Sequence, residues 1–219
     1  MSKTHNSTRI TNARERILSA ALALLTEGGR DALTTRAVAE AADVQAPIIY
    51  RLFGDKAGLL DAAAEYGLAL YVADKSAHTL ATDPLTDLRE SWDRHIAFGL
   101  ANPALFAITS GELRQGPSSP AAAAGMETLR SRVSRIARSG LLKVSQERAV
   151  SLLHAIGTGA ILTLLNTPED ERDLDLAIAA REAAIAAITN GEAATEKSAA
   201  TSATTLKAQP LDETVLQRI

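Results

Sequence analysis

The stretch that decides the fold is TTRAVAEAADVQAPIIYRLFGDKAGLL, residues 34–60. It contains two short helical patterns separated by a brief break, and a third helical pattern starts near its end. Thr34 is a good capping residue for the first of these helices, and Asp43 stops it. The second helix, about residues 45–52, has Pro47 in its first turn, where the missing N–H costs nothing. The stretch is therefore predicted to fold as helix, tight turn, helix.

The second helix is too short to be stable alone in water, so burial of one face must hold it in place. That face is expected to bury Ile48, part of Ile49, Leu52 and Phe53. Its polar face is then free to enter a groove. A helix N-terminus placed in the major groove of DNA presents its first residues to the base edges, while the preceding helix crosses the phosphates.

The residue types on the free face suit DNA. Gln45 can bond adenine bidentately, and Arg51 can reach guanine or a phosphate. Ala46 or Pro47 can touch a thymine methyl group. Two residues at the start of the preceding helix are placed for phosphates, namely Thr35 and Arg36. The sequence therefore predicts a DNA-reading surface on this helical pair.

Together with the preceding helix ARERILSAALALLTEGG, the stretch resembles the TetR family of bacterial transcriptional repressors. The resemblance covers about residues 10–60 and includes the pattern Tyr50-x-x-Phe53-x-x-Lys56-x-x-Leu59-Leu60. It implies that Tyr50 and Lys56 contact the DNA backbone, with Lys56 at the start of the fourth helix and Asp55 as its cap. It also implies a divergent second part that binds a small molecule and dimerises through the last two helices.

The chain departs from the family pattern at two positions. Asp43 stands in the turn where the family commonly has glycine, and aspartate tolerates the left-handed conformation better than most residues. Gln45 stands where the family often has serine, so a capping side chain is exchanged for a base reader. The turn should still form, but the base preference at that step is expected to differ.

Cap signals divide the rest of the chain into helices. Asn12 and Glu15 have the spacing of a reciprocal cap and Gly28-Gly29 supplies a stop, which predicts a first helix over 13–27. Four cap-proline pairs mark further starts: Asp83-Pro84, Asn102-Pro103, Ser119-Pro120 and Thr167-Pro168. The later helices are predicted at 56–80, 84–101, 103–113, 120–142, 145–166 and 168–189. The fold class is all-α, with nine helices and no sheet.

Composition and charge set the broad class of protein. The 219 residues are 46% hydrophobic and lack cysteine, which fits one or two small domains in a reducing cytoplasm. The N-terminus lacks the apolar core of a signal peptide, so a cytoplasmic location is expected. Residues 1–60 carry a net charge of +2 within a chain of −3, which favours a polyanion partner at that end. We expect a DNA-binding domain at 1–60, an effector and dimerisation domain at 61–189, and a polar tail at 190–219.

Helices 8 and 9 are expected to form the interface of a homodimer, which would match an operator with an inverted repeat. Helix 8 carries a continuous apolar stripe with small residues in its middle, and such a stripe suits close packing in a helix bundle. The predicted interface residues are Leu152, Leu153, Ile156, Ala160, Leu164, Ile178 and Ile185.

A pocket for a mostly apolar small-molecule effector is expected among helices 4 to 7. Trp92 and His95 place an indole N–H and an imidazole in an otherwise apolar interior, a mixture that small-molecule cavities use. The predicted lining is Tyr66, Leu70, Leu88, Trp92, His95, Ile96, Phe106, Met126 and Leu129. The loop 114–119 is a candidate gate for this pocket.

Other interpretations are weaker. The uncharged run 149–168 is diluted by polar residues, so a membrane span is not expected. The acids Glu169, Asp170, Glu171 and Asp173 are read as helix-start residues and not as a metal site. The four histidines lie in separate segments, so no enzyme, metal or cofactor is expected. A ligand-independent, architectural DNA-binding dimer remains an alternative to a ligand-gated repressor.

Overall fold

A computed structural model describes residues 2–110 and 119–190 of the chain. This part of the chain is helical, and its β-structure is limited to one isolated bridge between Leu142 and Thr189. The described residues form nine α-helices: α1 Ser2–Ala32, α2 Thr35–Ala41, α3 Ala46–Phe53, α4 Lys56–Ala77, α5 Pro84–Ala101, α6 Pro103–Ser110, α7 Pro120–Arg138, α8 Gln146–Leu165 and α9 Asp175–Ile188. The all-α prediction is confirmed.

Several helices begin at the cap residues that the sequence indicates. Thr34 Oγ1 accepts the backbone N–H of Ala37 at 3.1 Å, and the Asp55 carboxylate accepts that of Gly58 at 2.8 Å. The same role is played by Asp83 before α5 and by Ser145 before α8. Each side chain satisfies a backbone donor that has no partner inside the helix, which fixes where the helix starts.

Other predicted boundaries were wrong. The first helix begins at Ser2 and not at residue 13, so Asn12 and Glu15 lie inside α1 and cap nothing. The predicted stop is present as a kink at Gly29, where φ is 67°, and helical residues follow it. The fourth helix ends at Ala77 instead of residue 80.

The ends of α7 and the start of α9 also differ from the prediction. The seventh helix ends at Arg138 instead of residue 142, because Gly140 turns the chain at a φ of 75°. Pro168 precedes a short 3-10 helix, Glu169–Glu171, and α9 begins later at Asp175. The acids at 169–171 therefore open a single 3-10 turn. The predicted end of helix 6, most of the loop 114–119 and the tail beyond residue 190 lie outside the described residues.

The described chain forms two units. The first contains residues 2–70, 104–110 and 119–122, and the second contains residues 71–103 and 123–190. The predicted boundary at 60/61 differs from this division because the first half of α4 and most of α6 pack with α1. A Cβ at Gly67 would lie 2.7 Å from a methyl group of Leu22 and 2.9 Å from one of Leu105. Glu65 accepts the backbone N–H of Ala121 at 2.7 Å.

Within the first unit, α2 packs on α1 and α3 packs on α2. The core side of α1 follows the predicted helical spacing and consists of Ile17, Leu18, Ala21, Leu22 and Leu25. Between α2 and α3 the chain turns at Asp43, whose φ of 50° is the left-handed value that the turn requires. The Val44 N–H then bonds the Ala39 carbonyl at 3.0 Å. The predicted helix, tight turn and helix are present.

Within the second unit, α5 packs against both α8 and α9, and these two helices pack against each other. The helices α5 and α8 approach each other closely at Gly99, where a Cβ would lie 2.6 Å from a methyl group of Ile161. The segment after α7 is tied to the end of α9, because the Lys143 N–H bonds the Ile188 carbonyl at 2.9 Å.

Buried charges join α5 to α9. Arg181 is 1% exposed, and its Nη1 donates to both carboxylate oxygens of Asp93 at 2.7 and 2.8 Å. Its Nε donates to Glu182, which also accepts from Arg89 at 2.9 and 3.0 Å. Hydrogen bonds from these two arginines hold the pKa of Glu182 below its usual range despite partial burial. The network fixes the register of α9 on α5.

Removing one partner of the buried pair is expected to destabilise the protein. Arg181→Met leaves Asp93 buried without its main counter-charge and should lower the free energy of unfolding by about 3–5 kcal/mol. Adding Asp93→Leu should recover much of this loss, because the buried charge is then removed as well. Urea unfolding followed by circular dichroism measures both.

Arg130→Met is the matched control, because Arg130 pairs with Glu127 on the exposed surface. Its free energy of unfolding should change by less than about 0.5 kcal/mol. A loss of that small size in Arg181→Met would contradict the stabilising role of the buried pair.

Candidate functional site

The outer side of α3 and its flanks carries most of the predicted DNA-binding residues. Five of them are exposed: Arg36, Gln45, Pro47, Arg51 and Lys56. Tyr50 is exposed over 51% of its surface, whereas Thr35 and Ala46 are half-buried. Gln45 is the N-cap of α3, yet its side chain makes no capping hydrogen bond within the described chain. The amide of Gln45 is therefore not used by the helix start.

The burial of α3 differs from the prediction in detail. Ile49, which was expected to be buried in part, is fully buried, and Ile48 is only half-buried. Leu52 and Phe53 are also half-buried. The reason is that α3 packs mainly through the side that carries Ile49. This orientation turns Tyr50 and Arg51 to the exposed side of α3.

Two contacts position the flanking residues. The hydroxyl of Tyr50 lies 3.3 Å from Thr35 Oγ1, which joins α3 to the start of α2. The Asp55 cap places Lys56 as the first residue of α4. The guanidinium of Arg14 lies 5.6 Å from the centre of the Phe53 ring, close enough for a cation–π contact between α1 and α3. Sequence reasoning missed Arg14, because its spacing on α1 gives no sign of what it faces.

The predicted pocket residues are divided between the two units. Tyr66, Leu70 and Phe106 belong to the first unit, and the other six belong to the second. Burial and the charge of Glu15 raise the pKa of Tyr66. Leu88 and Ile96 are buried in the second unit, and Leu129 is half-buried. A cleft of about 240 Å³ on α7 and α8 is lined by Met126, Arg130, Gln146, Glu147, Val150 and Ser151.

Trp92 does not fit its predicted role. Its indole N–H donates to the backbone carbonyl of Ala177 at 3.2 Å, and its ring lies 3.6 Å from a Cβ built at Gly157. Trp92 is therefore a core residue among α5, α8 and α9, with its N–H already bonded. The prediction that this N–H serves a ligand was wrong, because the sequence does not indicate which carbonyl of another helix lies opposite.

A cluster of cations in the second unit was not predicted. Lys75 of α4 lies 5.5 Å from the centre of the Tyr71 ring, and the Tyr71 hydroxyl lies 3.5 Å from Nδ1 of His95. Burial lowers the pKa of His95 to about 3, so its imidazole is neutral. Arg94 and Arg132 complete the cluster, and their charges lower the pKa of Lys75 further than burial alone does. We call Lys75, Arg94 and Arg132 the cationic cluster.

Few features of the sequence indicate this cluster. Lysine and arginine in an amphipathic helix are most often solvent-exposed, and the three cations lie far apart in the chain. The local signal is weak: Lys75 follows Tyr71 by one helical turn, and Arg94 adjoins His95.

The predicted dimer residues divide into two groups. Leu153, Ala160, Leu164 and Ile185 are buried within the chain's own second unit, under α5 and the α8–α9 contact. Their assignment to the dimer interface is corrected, because this part of the apolar stripe packs inside the chain and not against a partner chain. Leu152, Ile156 and Ile178 are only half-buried. These three remain candidates for a contact with a second chain.

An apolar outer face remains on α8 and α9. On α8 it comprises Leu152, Ala155, Ile156, Gly159, Leu162 and Thr163, and on α9 it comprises Leu176, Ala179, Ala183 and Ala187. By length and composition alone α8 could cross a membrane, and it is the one such helix in the described ranges. Its inner side packs on α5 and α9. The described residues also contain no group of three or more acids, histidines or cysteines arranged for a metal ion.

The helix-turn-helix segment matches a family model described as bacterial regulatory proteins, tetR family, over residues 17–63. The chain is 53% identical over 53 residues to the tetracycline repressor protein class A from transposon 1721 of Escherichia coli. The segment of residues 17–63 is of the TetR family. This match covers 24% of each chain, so the chain spans about a quarter of the length of that curated relative.

Solved TetR structures extend the likeness in fold beyond this segment. A TetR transcriptional regulator from Streptomyces coelicolor superposes with a TM-score of 0.59 at 24% identity, over 91% of this chain and 99% of that one. A TetR variant from Acinetobacter baumannii AYE, solved in complex with minocycline, gives 0.57 at 29% identity over 78% and 93%. The likeness in fold to TetR structures therefore extends to the helices of the second unit.

The position of Lys75 predicts a pH dependence of stability. Burial, together with Arg132 and Arg94, lowers the pKa of Lys75 from 10.5 to about 7, and Asp87 opposes the shift. Between these values the unfolded chain binds more protons than the folded one, so stability should rise as the pH rises from 7 towards 10. The rise contributed by Lys75 is at most about 1.4 kcal/mol per pH unit.

Urea unfolding at several pH values in this range measures the effect. In Lys75→Met the rise should be smaller, whereas Lys56→Met, at an exposed lysine, should retain it. Equal rises in both variants would mean that Lys75 is fully hydrated.

Proposed function

We propose that the protein is a homodimeric transcriptional repressor that binds operator DNA through α3 and is released by a small molecule. The observation that carries the proposal is the outer side of α3, where exposed Gln45, Tyr50 and Arg51 stand beside Lys56. Membership of residues 17–63 in the TetR family supports the same function.

The side chains divide into base readers and backbone contacts. Gln45, at the start of α3 and unused in capping, is assigned to an adenine edge in the major groove. Arg51 reaches guanine or a phosphate from the next turn of α3. Tyr50, Lys56 and Arg36 bind phosphates, which fixes the register without reading sequence. The contact between Tyr50 and Thr35 holds the phenol in the orientation needed for this role.

The apolar outer face of α8 and α9 supports dimerisation. A single eight-residue recognition helix reads only a few base pairs, and two copies related by a two-fold axis read an inverted repeat. Gly159 lies on this face, and a Cβ built there meets no atom within 4 Å in the described chain. A second copy of α8 and α9 would bury this face from water and complete a four-helix contact.

The second unit supplies the candidate effector site. Minocycline is bound by the Acinetobacter baumannii protein, and we propose that the present chain also responds to a small molecule. The site is assigned to the second unit, where polar groups converge on Tyr71. The helix α4 begins at Lys56 and runs without a break to Ala77, so one helix carries both a DNA contact and Lys75. Displacement of α4 by the effector would weaken DNA binding.

DNA binding is tested with operator DNA selected from random duplexes. Lys56→Ala should weaken binding to all sequences alike and reduce the slope of log K against log salt by about one, because one phosphate contact is lost. Gln45→Ala should instead relax the base preference at one step by roughly 1–3 kcal/mol. Fluorescence anisotropy at several salt concentrations measures both effects.

Arg138→Ala is the matched control, since Arg138 is an exposed cation at the end of α7. Its salt slope should equal that of the parent protein. Full operator affinity in a Tyr50→Ala, Lys56→Ala double variant would exclude α3 and its flank as the DNA surface.

Dimerisation is tested by placing charge on the outer face of α8. Gly159→Arg adds a side chain where the described chain leaves open space, so each protomer should fold while dimerisation is lost. Operator affinity should fall with it. Ile156→Glu should act in the same direction. Sedimentation velocity at micromolar concentration measures the state of association.

Ala124→Arg, on the exposed side of α7, is the control for adding an arginine to a helix surface and should remain dimeric. A parent protein that sediments as a folded monomer and still binds an inverted repeat tightly would contradict this interface.

A further inference from the structure

The cationic cluster brings charges from three helices to one aromatic ring. Lys75 lies in α4, Arg94 in α5 and Arg132 in α7, and all three belong to the second unit. The Lys75 ammonium is 5.5 Å from the centre of the Tyr71 ring. The charges of Arg94 and Arg132 act on both Tyr71 and Lys75. The cluster is therefore one electrostatic unit, although its members are distant in sequence.

The acids near the cluster do not balance its charge. Asp87 is 1% exposed, and its Oδ2 lies 3.3 Å from Arg132 Nε and 3.0 Å from Arg135 Nη1. One carboxylate is thus shared between two guanidinium groups, and it also accepts the backbone N–H of Ala81 at 3.2 Å. The ion-pair contacts of Asp87 within the described residues are therefore both with arginines, although its Oδ2 accepts no hydrogen bond there.

Arg94 has two buried donor atoms that are left unpaired within the described residues. Its Nη1 lies 3.9 Å from Glu90, whose side chain is half-exposed, and this distance is long for a charge-assisted hydrogen bond. Its Nε and Nη2 are buried and have no hydrogen-bond partner in the described part of the chain. Buried donors of a charged group are costly to leave unpaired. The two unpaired N–H groups of this guanidinium can therefore donate hydrogen bonds to a bound anion.

A buried aromatic pair, Tyr71 and Phe98, lies beside these cations. The Tyr71 ring stacks on Phe98 with centres 3.9 Å apart and planes 15° apart. His95 stands at the hydroxyl end of Tyr71 as a neutral imidazole, which neither competes with the cations nor repels an anion. Lys75 and Arg94 each keep part of their surface exposed. An organic acid can thus reach the cations through their exposed parts, and its apolar body can contact the 8% of Tyr71 that remains exposed.

We propose that the cationic cluster binds an organic carboxylate, with the carboxylate on Lys75 and Arg94 and the body of the ligand against Tyr71. The third cation, Arg132, orients the cluster through Asp87. This ligand class replaces the mostly apolar effector that the sequence suggests. Only the assignment of the carboxylate as effector rests on the proposed function, because anion binding itself does not require DNA.

The first experiment measures binding without DNA. Benzoate, its neutral analogue benzamide and inorganic phosphate are titrated into the full-length protein by calorimetry. Benzoate should bind at least about tenfold more tightly than benzamide, because only the carboxylate pairs with the cations. Equal binding of benzoate and benzamide would overturn the proposal. Phosphate binding as tight as that of benzoate would also overturn it, since the site would then recognise charge without the organic body.

Variants locate the site. Lys75→Met and Arg94→Met should each weaken benzoate binding by about tenfold or more, since each removes a charged donor. Neither residue carries the buried pairing of Asp87, so both variants should fold, which circular dichroism checks. Arg138→Met, at an exposed arginine at the end of α7, is the control and should bind benzoate like the parent protein. Unchanged benzoate binding in both cluster variants would overturn the assignment.

The second experiment adds operator DNA and separates this inference from the proposed function. Release of DNA by benzoate, lost in Lys75→Met, supports both. If benzoate binds but does not release DNA, the carboxylate site is supported and its role as the effector site is rejected. Release by neutral compounds but not by carboxylates keeps a ligand-gated repressor and rejects the carboxylate. If the protein forms no complex with operator DNA, the proposed repressor function is rejected. The calorimetric data obtained without DNA still decide whether the carboxylate site exists.

Discussion

The constraint on which the proposed DNA-binding surface depends is that an eight-residue helix is not stable by itself in water. In α3 the stabilisation comes from complete burial of Ile49 on one side, with Ile48, Leu52 and Phe53 half-buried around it. Fixing one side of so short a helix determines where every residue on the opposite side points. The residues proposed to contact DNA thus owe their position to an aliphatic side chain that is fully buried.

Charge in the second unit is used in two different ways along the same helix. On one part of α5, Asp93 and Arg89 are paired with residues of α9 at hydrogen-bonding distance. Elsewhere on it, Arg94 is left with buried donors that the described chain does not satisfy. Paired charges fix helix register, whereas an unpaired one marks a place where a ligand lowers the energy. The distinction depends on partners and not on residue type.

The sequence predicts features that depend on local chemistry. The caps at Thr34, Asp55 and Asp83 and the left-handed turn at Asp43 follow from side chains that bond their own neighbouring backbone. The face of α1 also follows, because helical spacing decides which residues share a side. These signals are sufficient for the all-α fold and for the outer residues of α3.

Features that depend on contacts between distant segments were not predictable. The carbonyl that accepts the Trp92 N–H belongs to α9, and the stripe on α8 has an inner and an outer side that hydropathy does not separate. The cationic cluster likewise arises only when three helices meet. Sequence patterns reveal that a side chain is apolar or charged, but the partner that gives it a role is set by packing.

The left-handed aspartate at position 43 bears on how freely this turn can change during evolution. Glycine would relieve a backbone cost of about 1–2 kcal/mol, yet it would also give the unfolded chain more conformations to lose, an effect of about 0.4–1 kcal/mol in the opposite direction. The two effects offset each other in part. The Val44 to Ala39 hydrogen bond uses backbone atoms alone and is available to either residue. The remaining difference is about 1 kcal/mol in favour of glycine, which is small beside the roughly 5–15 kcal/mol that stabilises a typical domain, so the turn can keep its shape with either residue.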